Sequence, residues 1–287
     1  MEAARRRAGR RAVGGRVGLY VIAFGAALVA SFPFLWGIIT AFKQNPDLYT
    51  KANNPFLFNL PPTLEHLDLL FFNTNFGTFV GNTLFVGILV VAITLVISLP
   101  AAYSLARLGM RFGEQLGIGI FLVYLIPPTL LFIPMTQVIT ILGLKDSLWS
   151  LVLVYPTITI PISVWLLMGY FKGIPKDIEE QAMVDGYSRV GAVTRTVLPL
   201  MFPGVVAVVV FAFTLSAHEF IYALSFIQDS DAKTISIGVP TELVRGDVFY
   251  WQSLQAAAII AALPIALLFN LFLDRFISGF TMGAVKG

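Results

Sequence analysis

The sequence predicts an all-α membrane protein with six transmembrane helices, and three observations carry that prediction. The first is composition: 57% of the residues are apolar and 12% charged, whereas a soluble domain carries about a quarter charged residues and needs them to cover its surface. The second is clustering. The charges leave long uncharged stretches, several of them matching the roughly 20 apolar residues that cross a bilayer. The third is the uneven placement of Lys and Arg between the two sides that such stretches define, which sets orientation.

Taken in order, residues 1–16 form a basic tail, and residues 17–287 are expected to form a single transmembrane domain. The first span runs from about Val17 to Phe42. A polar loop follows, broken by Asn53, Asn54, Pro55, Pro61 and Pro62. The second span covers about Phe79 to Ala106, the third about Leu116 to Leu142, and the fourth about Leu148 to Phe171. A charged segment from Lys172 to about residue 200 separates it from the fifth, about Pro203 to Ile227. A second polar loop, Gln228 to Tyr250, leads to the sixth span, about Ser253 to Ile277, and residues 278–287 form a tail.

Six spans put both termini on one side. That side receives the Arg-rich tail, Arg107, Arg111, Lys172, Lys176, Arg189, Arg195, Arg275 and Lys286, and the other only Lys43, Lys51, Lys145, Lys233 and Arg245. The bias places both termini and the Lys172–Arg195 segment in the cytoplasm. Prolines recur within the spans, at Pro100, Pro127, Pro128, Pro134, Pro156, Pro161 and Pro264. Each removes a backbone donor and tends to kink its helix. Broken backbone in lipid must face protein or a water-filled cavity, so the cluster in the third and fourth spans reads either as packing kinks or as pathway lining.

Several function classes fall away. With no cysteine, disulfides and thiolate metal sites are excluded, and His66 and His218 are too far apart to suggest a metal site. The net charge of +3 does not indicate nucleic acid, because the excess sits between Arg5 and Arg16 beside an apolar span, as in a cytoplasmic anchor. The tail resembles the start of a signal peptide, but the apolar run continues to Phe42 without a small-residue cleavage pattern.

The stretch Gly173-Ile-Pro-Lys-Asp-Ile-Glu-Glu-Gln-Ala-Met-Val-Asp-Gly186 predicts a short helix. Pro175 suits its first turn and Gly186 the position just past its end. Asp177, Glu179 and Glu180 complement the helix dipole, and Ile178, Ala182 and Met183 share a face. So short a helix is marginal alone in water and must dock, on its own spans or on a partner.

At this segment the chain resembles the permease subunits of binding-protein-dependent ABC importers. Their cytoplasmic loop carries Glu-Ala-Ala, three residues, Gly, nine residues, Ile, one residue, Leu-Pro. Here Glu180-Gln181-Ala182, Gly186 and Thr196-Val197-Leu198-Pro199 keep the spacing, with Gln181 and Thr196 as departures. The ending Gly279–Gly287, the stretches Asn82–Leu84 and Ala101–Arg107, and Ile133 through Trp149 resemble the maltose-type carbohydrate branch. The resemblance implies a type I ABC importer permease fold with a cytoplasmic coupling helix between the fourth and fifth spans. It implies pairing with a second homologous permease, two copies of a cytoplasmic ATPase subunit and an extracytoplasmic solute-binding protein, in a bacterial or archaeal cytoplasmic membrane. Glu180, Gln181, Ala182, Asp185, Gly186 and Pro199 then belong to the ATPase-coupling loop. The chain has no Gly-x-x-x-x-Gly-Lys-Ser/Thr phosphate loop, so the resemblance assigns ATP and Mg to the partner subunits and no catalysis or cofactor to this one.

Candidate pathway residues lie in the fifth span. An acidic group there costs roughly 2.5–3.5 kcal/mol on insertion scales, so Glu219 is expected to face protein or water. Helical spacing puts Thr214, His218, Tyr222 and Ser225 on one stripe with Glu219 beside it. This reads either as a polar lining for a hydroxyl-rich solute or as a structural hydrogen bond between helices. Two other functional readings remain at this point: an importer for another solute such as a glycerol phosphate, and a secondary transporter that works alone.

Overall fold

The computed structural model describes residues 2–108 and 111–284, and the side chains of all of these except 2–17, 268 and 273–284. The side chains of the basic tail 1–16 and of the 278–287 end therefore lie outside the described residues.

Helix α1, Glu2–Ala41, contains the first span. Only 6% of its most apolar window is buried within the chain. Two short helices, α2 Asn45–Tyr49 and α3 Glu65–Phe72, organise the polar loop that follows. Helix α4, Phe76–Arg107, is 32 residues long, about 48 Å at 1.5 Å per residue. It starts earlier than expected because Phe76 and Phe79 are core residues, packed with Ala41, Leu70 and Leu243.

The third span is not one helix. It is α5, Gly113–Tyr124, and α6, Pro128–Ile141, bent by 86° at the break. Pro127 is extended, with ψ 133°, and Pro128 opens α6. Both follow from proline chemistry: the ring of Pro128 forces its predecessor out of the helical region and supplies no donor to α5. Helices α7, Leu148–Val154, and α8, Pro156–Gly173, run on as one span of 26 residues.

Helix α9, Lys176–Val184, is followed by α10, Arg189–Ala192, a π turn Val193–Val197, and α11, Leu198–Leu200. A 73° bend leads into α12, Phe202–His218. The expected fifth span Pro203–Ile227 is also corrected, because α12 stops at His218 and a separate α13 occupies Ile221–Phe226. With 17 residues, α12 sits at the short end of the spanning range of about 17–25.

The second polar loop holds α14, Ile235–Leu243, and an antiparallel pair, β1 Val244–Arg245 with β2 Val248–Phe249. Helix α15, Trp251–Ala284, carries the sixth span and continues past Ile277. Among the described residues, four helices are long and apolar enough to cross a membrane, or up to six if each bent pair is one span.

One element threads the whole core. Val86 and Val90 of α4 pack with Ile139, Tyr155 and Phe226. Phe76 and Phe79 belong to the cluster with α1, α3, α14 and α15, and Ala102 to the cluster formed by α8, the π turn and α12. Helix α4 also lies tight against α12, since a Cβ at Gly87 would meet the Phe213 ring at 2.6 Å.

Candidate functional site

Helix α9 forms where the sequence places it. Pro175 is extended just before it, and the end is a left-handed stop at Gly186, φ +93°. The Gly186 N–H donates to the Met183 carbonyl at 3.1 Å and the Tyr187 N–H to that of Ala182 at 3.1 Å. This pair of bonds is a Schellman motif, which satisfies carbonyls that a helix end otherwise leaves open. A side chain at that φ is strained, so glycine is required there.

The two faces of α9 differ. Ala182 is 5% and Glu179 7% exposed, with Ile178 and Met183 half-buried beside them. The apolar face inferred from spacing is therefore correct, and Glu179 lies buried beside it. Its Oε1 accepts a hydrogen bond from the Tyr103 hydroxyl of α4. One turn further along α4, Arg107 Nη2 donates to the Ile174 carbonyl, in the connector entering α9, at 2.5 Å. The Tyr103 ring meets Phe171 edge-on at 5.7 Å.

The opposite face is open. Asp177, Glu180, Gln181, Val184 and Asp185 line a shallow groove of about 240 Å³. Val184 is 87% exposed, and the three carboxylates make no hydrogen bond or ion pair among the described residues. After Gly186 the chain is stiffened: Ser188 Oγ accepts from Gly191 N–H at 3.2 Å, and the Arg195 guanidinium lies 5.1 Å from the Tyr187 ring centre. Pro199 is exposed within α11 at the approach to α12. Of the coupling-loop residues read from sequence, Glu180, Gln181 and Asp185 therefore share the open groove. Ala182 faces the chain's own body and Gly186 ends the helix.

The stripe expected in the fifth span does not exist, because the helix breaks within it. Thr214 is half-buried in α12, His218 is exposed at its last turn, and Tyr222 is buried in α13. Glu219 has non-helical backbone, ψ 128°. Its carboxylate accepts from the N–H groups of Tyr222 at 3.0 Å and Ala223 at 3.1 Å, and so caps α13 in the manner of an N-cap side chain. Its carbonyl accepts from Ser236 Oγ of α14 at 2.7 Å. The Tyr155 hydroxyl, buried without a hydrogen bond of ordinary geometry, lies within electrostatic reach of the carboxylate. The carboxylate's partners are backbone N–H groups of α13 rather than a neighbouring helix.

Sequence reasoning missed a set of polar anchors at the end of the molecule remote from α9. Asp47, 2% exposed, accepts from Asn59 Nδ2 at 2.7 Å, Asn59 N–H at 3.0 Å and Asn53 Nδ2 at 3.2 Å. Lys43 Nζ lies 3.8 Å away. Burial opposes the charged carboxyl, but the donors from Asn59 and Leu60, with Lys43, outweigh it and hold its pKa below the ordinary value. Asp146 Oδ1 accepts from the N–H groups of Gln228 at 2.5 Å and Asp229 at 3.2 Å. These donors, Gln228 foremost, lower its pKa as well. Asn82 Nδ2 donates to the carbonyls of Asp231 and Lys233 at 2.8 and 2.9 Å. The recurrence of Asn and Asp beside prolines was the available signal, and it reads only as a loop without the fold.

Comparison with known proteins agrees with this architecture. The chain is 33% identical to the sulfoquinovosyl glycerol transport system permease protein SmoH of Agrobacterium fabrum, covering 89% of each chain. It is 32% identical to the trehalose/maltose transport system permease protein MalG of Thermococcus litoralis, over 95% of this chain and 97% of that one. A solved bacterial ABC transporter that imports the acidic polysaccharide alginate contains a chain of the same fold, with a TM-score of 0.76 at 16% identity over 92% of this chain and 96% of that one. Residues 98–281 match the model of one family throughout, and the match contains α9, its loop and the break at Glu219. The chain belongs to the binding-protein-dependent transport system inner membrane component family.

Proposed function

We propose that this chain is one of two paired permease subunits of an ATP-driven importer that carries a sugar, an oligosaccharide or disaccharide, across a bacterial or archaeal cytoplasmic membrane. An external binding protein delivers the solute, and two copies of an ATPase subunit, which bind ATP and Mg, dock in the cytoplasm. The observation that carries this reading is the two-sided α9: one face is seated on the chain, and the other presents Asp177, Glu180 and Asp185 with no partner among the described residues. An acidic, partly apolar groove on a rigid short helix suits a basic protein surface better than water alone. The sugar assignment draws on relatives whose names specify trehalose or maltose, diacetylchitobiose and arabinooligosaccharides. Family membership sets aside the transporter that works alone.

The test is assembly followed by transport. Co-expressed with a second permease and an ATPase subunit, the chain is expected to retain both through purification in mild detergent. Vesicles holding the complex and its binding protein are expected to accumulate a disaccharide only with ATP inside. Purification of the chain without any ATPase subunit would sink the reading; accumulation of a non-sugar solute alone would sink its sugar part.

A further inference from the structure

Glu179 does not serve the open face of α9. It is the buried acid of that helix, and its partner is a phenol on α4. A nine-residue helix holds its position poorly by propensity alone. Apolar contacts keep it down but let it slide, whereas directional bonds fix its register. Two such bonds come from α4, one turn apart: Tyr103 holds the helix and Arg107 holds the connector that enters it.

The other end of α4 holds the remote segment just as directly. Asn82 binds the carbonyls of Asp231 and Lys233, and Thr83 Oγ1 accepts from Ile235 N–H at 2.9 Å. One residue on, Ser236 binds the Glu219 carbonyl at the break between α12 and α13. Between these ends α4 is continuous and packs in all three core clusters.

We propose that Tyr103 and Glu179 are a positioning pair that makes α4 follow α9, so that a displacement delivered to α9 reaches Asn82, Thr83 and the segment 231–236 through α4. This rests on the importer reading above. Neither residue touches solute or nucleotide. The pair acts by joining the helix that a cytoplasmic partner moves to a long helix that packs in all three core clusters.

The test uses the assembled complex with ATP, Mg and vanadate as the probe. The chain has no cysteine, so Thr78→Cys, exposed in the first turn of α4, reports on the remote end of that helix alone. Adding the probe is expected to change its labelling rate by a maleimide, on the order of fivefold or more, as typical site-to-site couplings do. In Tyr103→Phe or Glu179→Ala the change is expected to vanish while the ATPase subunits stay bound and hydrolyse ATP. Glu179→Gln still accepts from the phenol and is expected to keep it. The double variant Tyr103→Phe with Glu179→Ala is expected to be no worse than either alone. An unaltered labelling change in both single variants, or no change in the parent complex, overturns the pair. A complex that holds no ATPase subunit instead overturns the importer reading, and this proposal with it.

Discussion

The two ends of α4 are both polar, yet they use polarity in opposite ways. Remote from α9, carboxylates are satisfied by the chain itself: the buried Asp47 collects Asn53, Asn59 and Leu60, and the exposed Asp146 accepts from the N–H groups of Gln228 and Asp229. On α9, Glu179 accepts from Tyr103, whereas Asp177, Glu180 and Asp185 have no partner among the described residues. A buried polar group without a partner is costly, so the first arrangement holds shape. An exposed carboxylate adds little to folding, so the second is free to meet another molecule. Polar residues at the remote end should then govern stability, and those on the open face of α9 should govern transport.

The sharpest break in that contrast would come from Gly186→Asp. Its φ of +93° strains any side chain, by on the order of 1–2 kcal/mol for left-handed backbone. The end of α9 should fray and the open groove lose its shape. Uptake is expected to be abolished while the amount of protein in the membrane, read by immunoblot, stays normal; normal uptake would refute the coupling role. Next in size is Asp47→Ala, which removes the counter-charge of the buried Lys43 and the acceptor of Asn53, Asn59 and Leu60. It is expected to give the largest fall in thermal midpoint of the purified complex, with transport per folded molecule unchanged.

Glu219→Gln tests the break in the fifth span. One of two accepting oxygens and the charge are lost, at a cost of about 1 kcal/mol by analogy with other caps. Thermal stability should fall slightly and uptake persist; lost uptake with unchanged stability would instead mark Glu219 as a solute contact. The smallest effect is a pH dependence at Asp146. Its folded pKa is depressed by the Gln228 and Asp229 N–H groups, so its contribution is present above the ordinary value of 3.8 and disappears as pH falls through the lower folded value. Acid melting curves of Asp146→Asn should be flatter than the parent's in that range. Identical slopes would remove Asp146 from the closed end.

How far the sequence reached follows the same division. Spans with uncharged runs, such as α4 and α8, were legible because apolar length alone specifies them. Helix α9 was legible to within a residue or two because Pro175 and Gly186 punctuate it. The turn at Pro127–Pro128 was foreshadowed by proline, though not its angle. The break at Glu219 was not, because no Pro or Gly marks it. An acid accepting from N–H groups three and four residues ahead looks, in sequence, like any charge in an apolar run. Helix α14 was hidden by Pro240 and by polar flanks, and its reason for being helical lies in the burial of Ile237, Val239 and Leu243 against other elements. Glu179 reads in sequence only as a complement to the helix dipole, because its position in the first turns shows nothing of Tyr103.

The Asp47 cluster also acts as a ruler. Its donors come from Asn53, Asn59 and Leu60, so the carboxylate fixes how much chain lies between each of them and itself. Inserting or deleting one residue between Asp47 and Leu60 shifts these donors off their acceptor together. The β1–β2 hairpin has no such gauge: its tip at Gly246 is exposed and its register is set by two paired positions. Lineages descended from this chain are free to vary the length of the hairpin, whereas the loop around Asp47 can change length only by rebuilding its whole set of donors at once.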